Sequence, residues 1–231
     1  MQFDILSIFP EAFESYFQAS ILKRAQDAGH ISIRTHDVRA FTTDKHGKVD
    51  DTPYGGGAGM VMAVEPFDRA LQSIQAVPKT VGTRIILLSA KGRPFDQAKA
   101  RELAGCERLV LLCGRYEGVD ERVAEHLVDE ELSLGSFVLT GGELAAMIVV
   151  DAVARLLPGV LGNEESARGE SFADGQNVEF PQYTKPETYR GWVVPSVLLS
   201  GHHAEIAAWR QAQSQYPVSY THLTLPTSDL V

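Results

Sequence analysis

Arg108-Leu109-Val110-Leu111-Leu112-Cys113-Gly114-Arg115-Tyr116-Glu117-Gly118 is the stretch that decides the fold. From Leu109 to Cys113 it is apolar without interruption. It is too short for an ordinary helix and lacks the alternation of a half-exposed strand. Such a run suits a strand covered on both faces, as in parallel sheets. The glycines follow at once, where the chain leaves the carboxyl end of that strand. In open α/β sheets ligands bind at that end, and glycine lets them approach the backbone.

Outward from this stretch, helix and strand signals alternate. Arg84 to Ser89 reads as a second buried strand, joined to the first through a short helix, Asp96 to Leu103, and Pro66 opens an earlier helix. Phe3 to Phe9 reads as a strand. Pro10 then sits at the first position of a helix with Phe13, Phe17 and Ile21 on one face and Gly29 as its left-handed cap. Ile31 to Arg34 alternates as a strand, and Ala40 to Val64 reads as a long loop. In the other direction come a helix at Asp120 to His126, short strand material around Gly135 in Leu132 to Leu139, and a helix at Gly142 to Leu157, apolar nearly all round and therefore buried. The pattern predicts an α/β fold, a parallel sheet with helices on both faces. From Pro158 to about Pro186 the composition shifts to a Gly, Glu and Ser loop, long enough to be functional or a linker. Ala204 to Gln213 is the last helical segment. Beyond Tyr216 neither period is present, so residues 217–231 are expected to be a non-native tail.

No apolar run approaches a bilayer span, and Met1-Gln2-Phe3-Asp4 lacks the layout of a signal peptide, so a soluble cytoplasmic protein is expected. The only cysteines, Cys106 and Cys113, form no CxxC pair, which suggests neither a disulfide framework nor a zinc site and leaves Cys113 as core. A net charge of −9 argues against a generic nucleic-acid binder. The charge is unevenly spread, however. Lys79 to Arg101 holds six basic residues against Asp96 alone, and Glu117 to Glu131 holds seven acids against Arg122. Local basic surface is thus compatible with RNA, and equally with ordinary solvated helix faces.

A second glycine loop, Leu134-Gly135-Ser136-Phe137-Val138-Leu139-Thr140-Gly141-Gly142-Glu143, combines backbone donors and acceptors with an apolar wall. That suits an adenosine better than a triphosphate. Gly114 to Gly118 has no following Lys and Ser/Thr, so it is not a P-loop, and GxGxxG is absent. Taken singly, each loop is more often a structural turn; two at sheet ends make a pocket.

Several longer motifs carry a family resemblance. Cys113-Gly114-Arg115-Tyr116-Glu117-Gly118-Val119-Asp120-Glu121-Arg122, Leu139-Thr140-Gly141-Gly142-Glu143-Leu144 and Pro53-Tyr54-Gly55-Gly56-Gly57-Ala58-Gly59-Met60 resemble the bacterial tRNA (guanine-N1)-methyltransferases. Pro158-Gly159-Val160-Leu161-Gly162 and Leu198-Leu199-Ser200-Gly201-His202-His203-Ala204-Glu205-Ile206 extend the likeness over roughly Met1 to Gln213. The resemblance implies the SPOUT class, whose sheet contains a deep trefoil knot, an exception to the rule against threaded chains. It implies a knotted methyltransferase domain over 1–160, a linker over 161–186 and a partial helical tRNA-binding domain over 187–216. S-adenosylmethionine is then expected against Ser89, Gly114, Tyr116, Glu117, Gly118, Leu134, Gly135, Ser136, Phe137, Val138, Leu139, Gly141 and Gly142.

The implied substrate is the guanosine just 3′ of the anticodon in tRNA. Guanine N1 is protonated at neutral pH, so its methylation needs a base for that proton and a cation for the charge that grows on O6. The resemblance puts the cation at Arg155 and the base at Glu170, where the family usually has Asp, one methylene shorter. It makes His46, Asp50, Asp51, Tyr54, Gly55, Gly56, Gly57 and Gly59 the RNA-facing set, with Arg39 as a further contact and Ala58 in place of a common Pro. A homodimer sharing each site is implied. Mg²⁺ has been linked to the family, without a dedicated ligand cluster here. Because the C-terminal domain lacks the family's further basic helix, weakened tRNA binding is expected. The competing readings are another SPOUT RNA methyltransferase and a non-catalytic RNA- or cofactor-binding protein.

Overall fold

A computed structural model describes residues 1–77, 80–162, 171–172 and 178–214. The chain divides into two compact units, Met1–Glu164 and Glu165–Val231. The first is built on a five-stranded sheet in the order β2-β1-β6-β5-β7, every pairing of which is parallel. Its strands are β1 (Gln2–Ser7), β2 (Ser32–Asp37), β5 (Thr83–Pro94), β6 (Arg108–Cys113) and β7 (Glu130–Ser133). A short ribbon, β3 (Asp50–Asp51) and β4 (Val61–Met62), interrupts the predicted loop of residues 40–64.

The apolar run at Leu109–Cys113 is central because both faces of β6 are covered. Leu109, Leu111 and Cys113 enter one core cluster with Phe3, Ile5, Ile86 and Leu88. Val110 and Leu112 enter the other, with Leu6, Ile85, Leu87 and Met62. All five residues of the run are fully buried. At roughly 1.5–3 kcal/mol for each large apolar side chain removed from water, the two layers hold the sheet between its helices. One layer is closed by α5 (Glu143–Ala154), through Ala146, Val149, Val150 and Val153, and the other by α3 (Val64–Ser73), through Phe67, Ala70 and Leu71.

Several predicted elements differ from those observed. The single helix expected after Pro10 is three pieces: a 3-10 turn at Pro10–Phe13, α1 (Glu14–Phe17) and α2 (Ser20–Asp27). Ser20 takes a left-handed φ of 47°, and the carbonyl of Phe17 accepts the Gln26 side chain at 2.8 Å instead of a further helical turn. Phe13 and Phe17, stacked at 5.7 Å ahead of this break, both reach the core. Gly29 does have the left-handed φ of a cap, 76°. α3 begins at Val64, so Pro66 lies inside its first turn rather than opening it. The helix expected at Asp120 to His126 is present over residues 121–127, but it widens to π geometry at Val123–Leu127, whose five-residue step buries both Val123 and Val128. β7 ends at Ser133, so Leu134 to Leu139 is loop rather than strand. β5 runs on past Ser89 to Pro94, and its partner Leu132 pairs first with Leu88 and then with Arg93. Gly92 makes that possible, since a Cβ there would stand 2.6 Å from the backbone of Glu131 and Leu132. α4 (Gln97–Ala104) is capped by Asp96, which accepts the Lys99 N–H at 2.8 Å.

The second unit contains a hairpin of β8 (Thr188–Tyr189) and β9 (Trp192–Val193), then α6 (Ser196–Leu199) and α7 (His203–Ser214). Tyr183 packs on Trp209 at 6.5 Å between ring centroids, and Arg210 lies 4.7 Å over Phe180. Among the described residues, no helix is long and apolar enough to cross a membrane.

Candidate active site

At one end of the sheet the exits of β6 and β7, with the register shift inside β5, enclose a cleft of about 510 Å³. Ser89 to Lys91 lie in β5 at that shift, Gly114 to Val119 leave β6 and Leu134 to Gly142 follow β7; Leu87, Leu88, Leu132 and Ala145 add apolar surface. The volume falls in the range of small-molecule sites, and the mixture of an apolar lining with glycine-rich backbone suits a flat heterocycle held by main-chain groups. Lys91 and Glu121, both on the lining, form an ion pair across the rim. Hydrogen bonding to Glu121 raises the Lys91 ammonium above its ordinary value.

The two glycine loops are joined to each other. Gly142 N–H donates to Gly114 O at 2.9 Å, and Arg115 and Gly141 form an antiparallel bridge. A Cβ on Gly142 would meet the Cys113 Cα at 2.7 Å, so only glycine permits that approach. Within the first loop Gly118 N–H closes a turn on Arg115 O at 3.1 Å, with Tyr116 at its corner in a left-handed φ of 61°. That conformation stores roughly 1–3 kcal/mol in a non-glycine residue and persists only where neighbours enforce it. Burial pushes the Cys113 thiol, directly beneath, well above its ordinary pKa, and nearby Glu143 adds to the rise.

The loop of residues 53–60 is sewn to the same turn. Glu117 N–H donates to Met60 O at 3.0 Å, Met62 N–H to Gly118 O at 2.9 Å and Asp120 N–H to Met62 O at 2.9 Å. Gly59 lies so close to Glu117 that a Cβ would stand 2.4 Å from its Cγ. Gly55, Gly56, Gly57 and Gly59 all have positive φ, and Tyr54 at the tip is 103% exposed.

Of the residues expected around a cofactor, Ser89, Gly114, Tyr116, Glu117, Gly118, Leu134, Gly135, Phe137, Val138, Leu139, Gly141 and Gly142 line the cleft, whereas Ser136 does not. Of those expected to face RNA, Gly59 touches the cleft wall through Glu117. Asp50 and Asp51 lie on β3, and His46 is exposed in a turn where its N–H donates to Asp44 at 2.8 Å. Asp51 is held below its ordinary pKa, first by the Thr52 N–H and then by Lys48. Arg39 is engaged with the Ile8 carbonyl and the Phe9 ring. Arg155 caps the end of α5, and Glu170 lies outside the described residues. Arg115, Lys91, Glu121 and Glu131 also line the cleft and were not singled out from the sequence. For Arg115 a signal existed, since it sits inside the glycine loop itself. Among the described residues no group of three or more His, Cys, Asp or Glu is gathered to hold a metal ion.

A family model described as tRNA (Guanine-1)-methyltransferase TrmD matches residues 1–225. The chain is similar to the tRNA (guanine-N(1)-)-methyltransferase of Heliobacterium modesticaldum, 55% identical over 217 residues, covering 93% of this chain and 80% of that protein. It is also similar to those of Citrifermentans bemidjiense, 56% identical with 92% and 84% covered, and Chloroflexus aggregans, 56% identical with 92% and 82% covered.

Proposed function

Because the chain belongs to the tRNA (guanine-N1)-methyltransferase family, we propose that its cleft binds S-adenosylmethionine and that it methylates N1 of the guanosine just 3′ of the anticodon. The chain is a SPOUT-class α/β enzyme and a methyltransferase. What supports the finer reading is the seam between the 53–60 loop and the cleft, where Met60 O meets Glu117 N–H at 3.0 Å. A base delivered by that loop arrives at the cleft rim, which is what transfer onto a flipped-out guanine requires.

The residues present fit the cofactor. Leu87, Leu88, Leu132 and Ala145 give an adenosine apolar surface, and the loops at Gly114 to Gly118 and Leu134 to Gly142 give it backbone donors and acceptors. When bound, S-adenosylmethionine supplies an electrophilic methyl group. The chain must then remove the N1 proton of guanine and stabilise O6. We assign the first role to the Glu170 carboxylate and the second to the Arg155 guanidinium, and RNA contact to the 53–59 loop with His46, Asp50 and Asp51. Residues 161–186 act as the linker that carries Glu170, and residues 187–216 as a tRNA-gripping domain. Two copies share each site. The apolar stripe on α5, Leu144 at 56% and Ile148 at 49% exposure, supports that pairing, because it leads along one helix face toward Arg155.

Methyl transfer from labelled S-adenosylmethionine to tRNA transcripts tests the reading. Incorporation is expected with guanosine at the site and not with adenosine; equal incorporation in both, or in neither, would overturn it. Glu170→Gln is expected to lower turnover by about 10²–10⁴ while keeping cofactor affinity.

A further inference from the structure

Glu143 is 3% exposed, at the first position of α5, and no step of the reaction above uses it. Its Oε1 accepts the Ser7 hydroxyl at 2.6 Å, and its Oε2 stands 3.0 Å from Arg115 Nε. Both Arg115 Nε and Glu143 Oε2 are sealed from solvent and off-axis for a hydrogen bond, so charge rather than direction holds the pair. Arg115 in turn donates from Nη1 to Thr140 O at 3.3 Å, and its guanidinium lies 4.6 Å from the Phe9 ring centroid. A Cβ on Gly141 would fall 2.2 Å from Arg115 Nε and 2.5 Å from Glu143 Oε2, so the pair occupies the space that glycine leaves.

A carboxylate in the first turn of a helix is favourable toward the helix dipole, yet an exposed one serves that purpose equally well. A buried ion pair is also a weak stability device beside apolar packing. What this pair does is geometric: it ties the end of β1, the turn after β6 and the start of α5 at one point behind the cleft.

We infer that Glu143 is a positioning residue for methyl transfer, holding Arg115 so that the turn containing the strained Tyr116 stays locked against the Thr140–Gly142 wall. The inference rests on the reading that S-adenosylmethionine occupies the cleft. Glu143→Gln keeps the size and the bond from Ser7 but removes the charge that holds Arg115. The turn then relaxes, and the cofactor binds only the fraction of molecules in which it is re-formed. If that fraction is one tenth, the KM for S-adenosylmethionine rises about tenfold, while kcat at saturation stays within about twofold.

The test uses wild type, Glu143→Gln, Arg115→Gln and the double variant. S-adenosylmethionine affinity is measured by calorimetry, KM and kcat on tRNA, and hydrogen exchange by segment. The expected result is a raised KM with preserved kcat, a double variant no worse than Arg115→Gln, and faster exchange confined to residues 114–118 and 139–142. Unchanged exchange in those segments, or additive losses in the double variant, would overturn the inference. Wild type that fails to bind S-adenosylmethionine would sink the cofactor reading, and exchange would still decide the role of Glu143. Should Glu143→Gln not fold, Ser7→Ala removes one tether to the same carboxylate. A KM raised about twofold with faster exchange in the same segments supports the role, and no change in either overturns it.

Discussion

The two ends of the sheet each bury a carboxylate against an arginine, and they do so differently. At the amino end, Asp4 is 1% exposed and accepts Arg108 Nε at 2.7 Å, Gln2 Nε2 at 2.6 Å and His36 Nε2 at 2.7 Å. Arg108 spends a further donor on Ile74 O at 2.9 Å, which ties down the end of α3. Burial alone would push the Asp4 carboxyl up, but the hydrogen bonds from His36, Arg108 and Gln2 outweigh it and hold the group below its ordinary value. At the carboxyl end, Glu143 and Arg115 face each other off-axis, and the backbone beside them is strained at Tyr116. One end is satisfied and closes the fold. The other is held together under tension around a cleft, as sites that must receive a ligand commonly are.

The comparison breaks most visibly at Gly142. Gly142→Ala drives a Cβ to 2.7 Å from the Cys113 Cα, and backbone on both sides leaves nothing flexible to yield. About 3 kcal/mol of stability is expected to go, by the cost of overpacking. Cofactor affinity should fall with it, because the two loops that line the cleft can no longer meet at Gly114. Calorimetry with S-adenosylmethionine and urea unfolding measure the two losses. An alanine variant that binds the cofactor as wild type does would show that the loops need not touch.

Asp4→Asn should separate stability from binding. Its partners Arg108 and His36 are only 17% and 20% exposed, so breaking the network costs roughly 2 kcal/mol, less than a fully sealed pair. Cofactor affinity is expected to stay within about twofold, since the site is at the far end of the strands; urea unfolding and calorimetry check both. The pH dependence follows in sign. A carboxyl whose folded pKa is depressed below 3.8 contributes stability above that value and loses it as pH falls through the folded pKa. Wild type should therefore lose stability below about pH 4 by up to about 1.4 kcal/mol per pH unit from this group, and Asp4→Asn should show a correspondingly shallower acid limb.

The closed end and the open end were also unequally legible. Leu109 to Cys113 and Ile85 to Leu88 announce buried strands because the pattern is local, and Asp96 announces a helix start for the same reason. The glycine loops were legible as a pocket because glycine marks close approach. Contacts between distant segments were not. The polar tail of β5 at Lys91 to Pro94 is strand only because β7 pairs with it across a register shift. The break at Ser20 depends on a side chain six residues on. Glu143 reads as an ordinary first-turn acid until Ser7 and Arg115 arrive from elsewhere to bury it. The link from Gly59 to Glu117 likewise exists only in three dimensions.

The smallest expected change in stability sharpens the contrast furthest. Tyr54 stands fully exposed on a run of positive-φ glycines, so Tyr54→Ala should alter unfolding free energy by less than about 0.5 kcal/mol. If the ring serves as a stacking surface for an unpaired base, its removal should weaken RNA binding by about 1–3 kcal/mol, raising the KM for tRNA roughly 5- to 150-fold. The KM for S-adenosylmethionine should not move, because the loop meets the cleft through Gly59 and Met60 rather than through Tyr54. Steady-state kinetics with each substrate varied in turn distinguishes the two. A rise in the cofactor KM instead would mean that the loop shapes the cleft itself, and the open end of the sheet would then extend to the tip of the 53–60 loop.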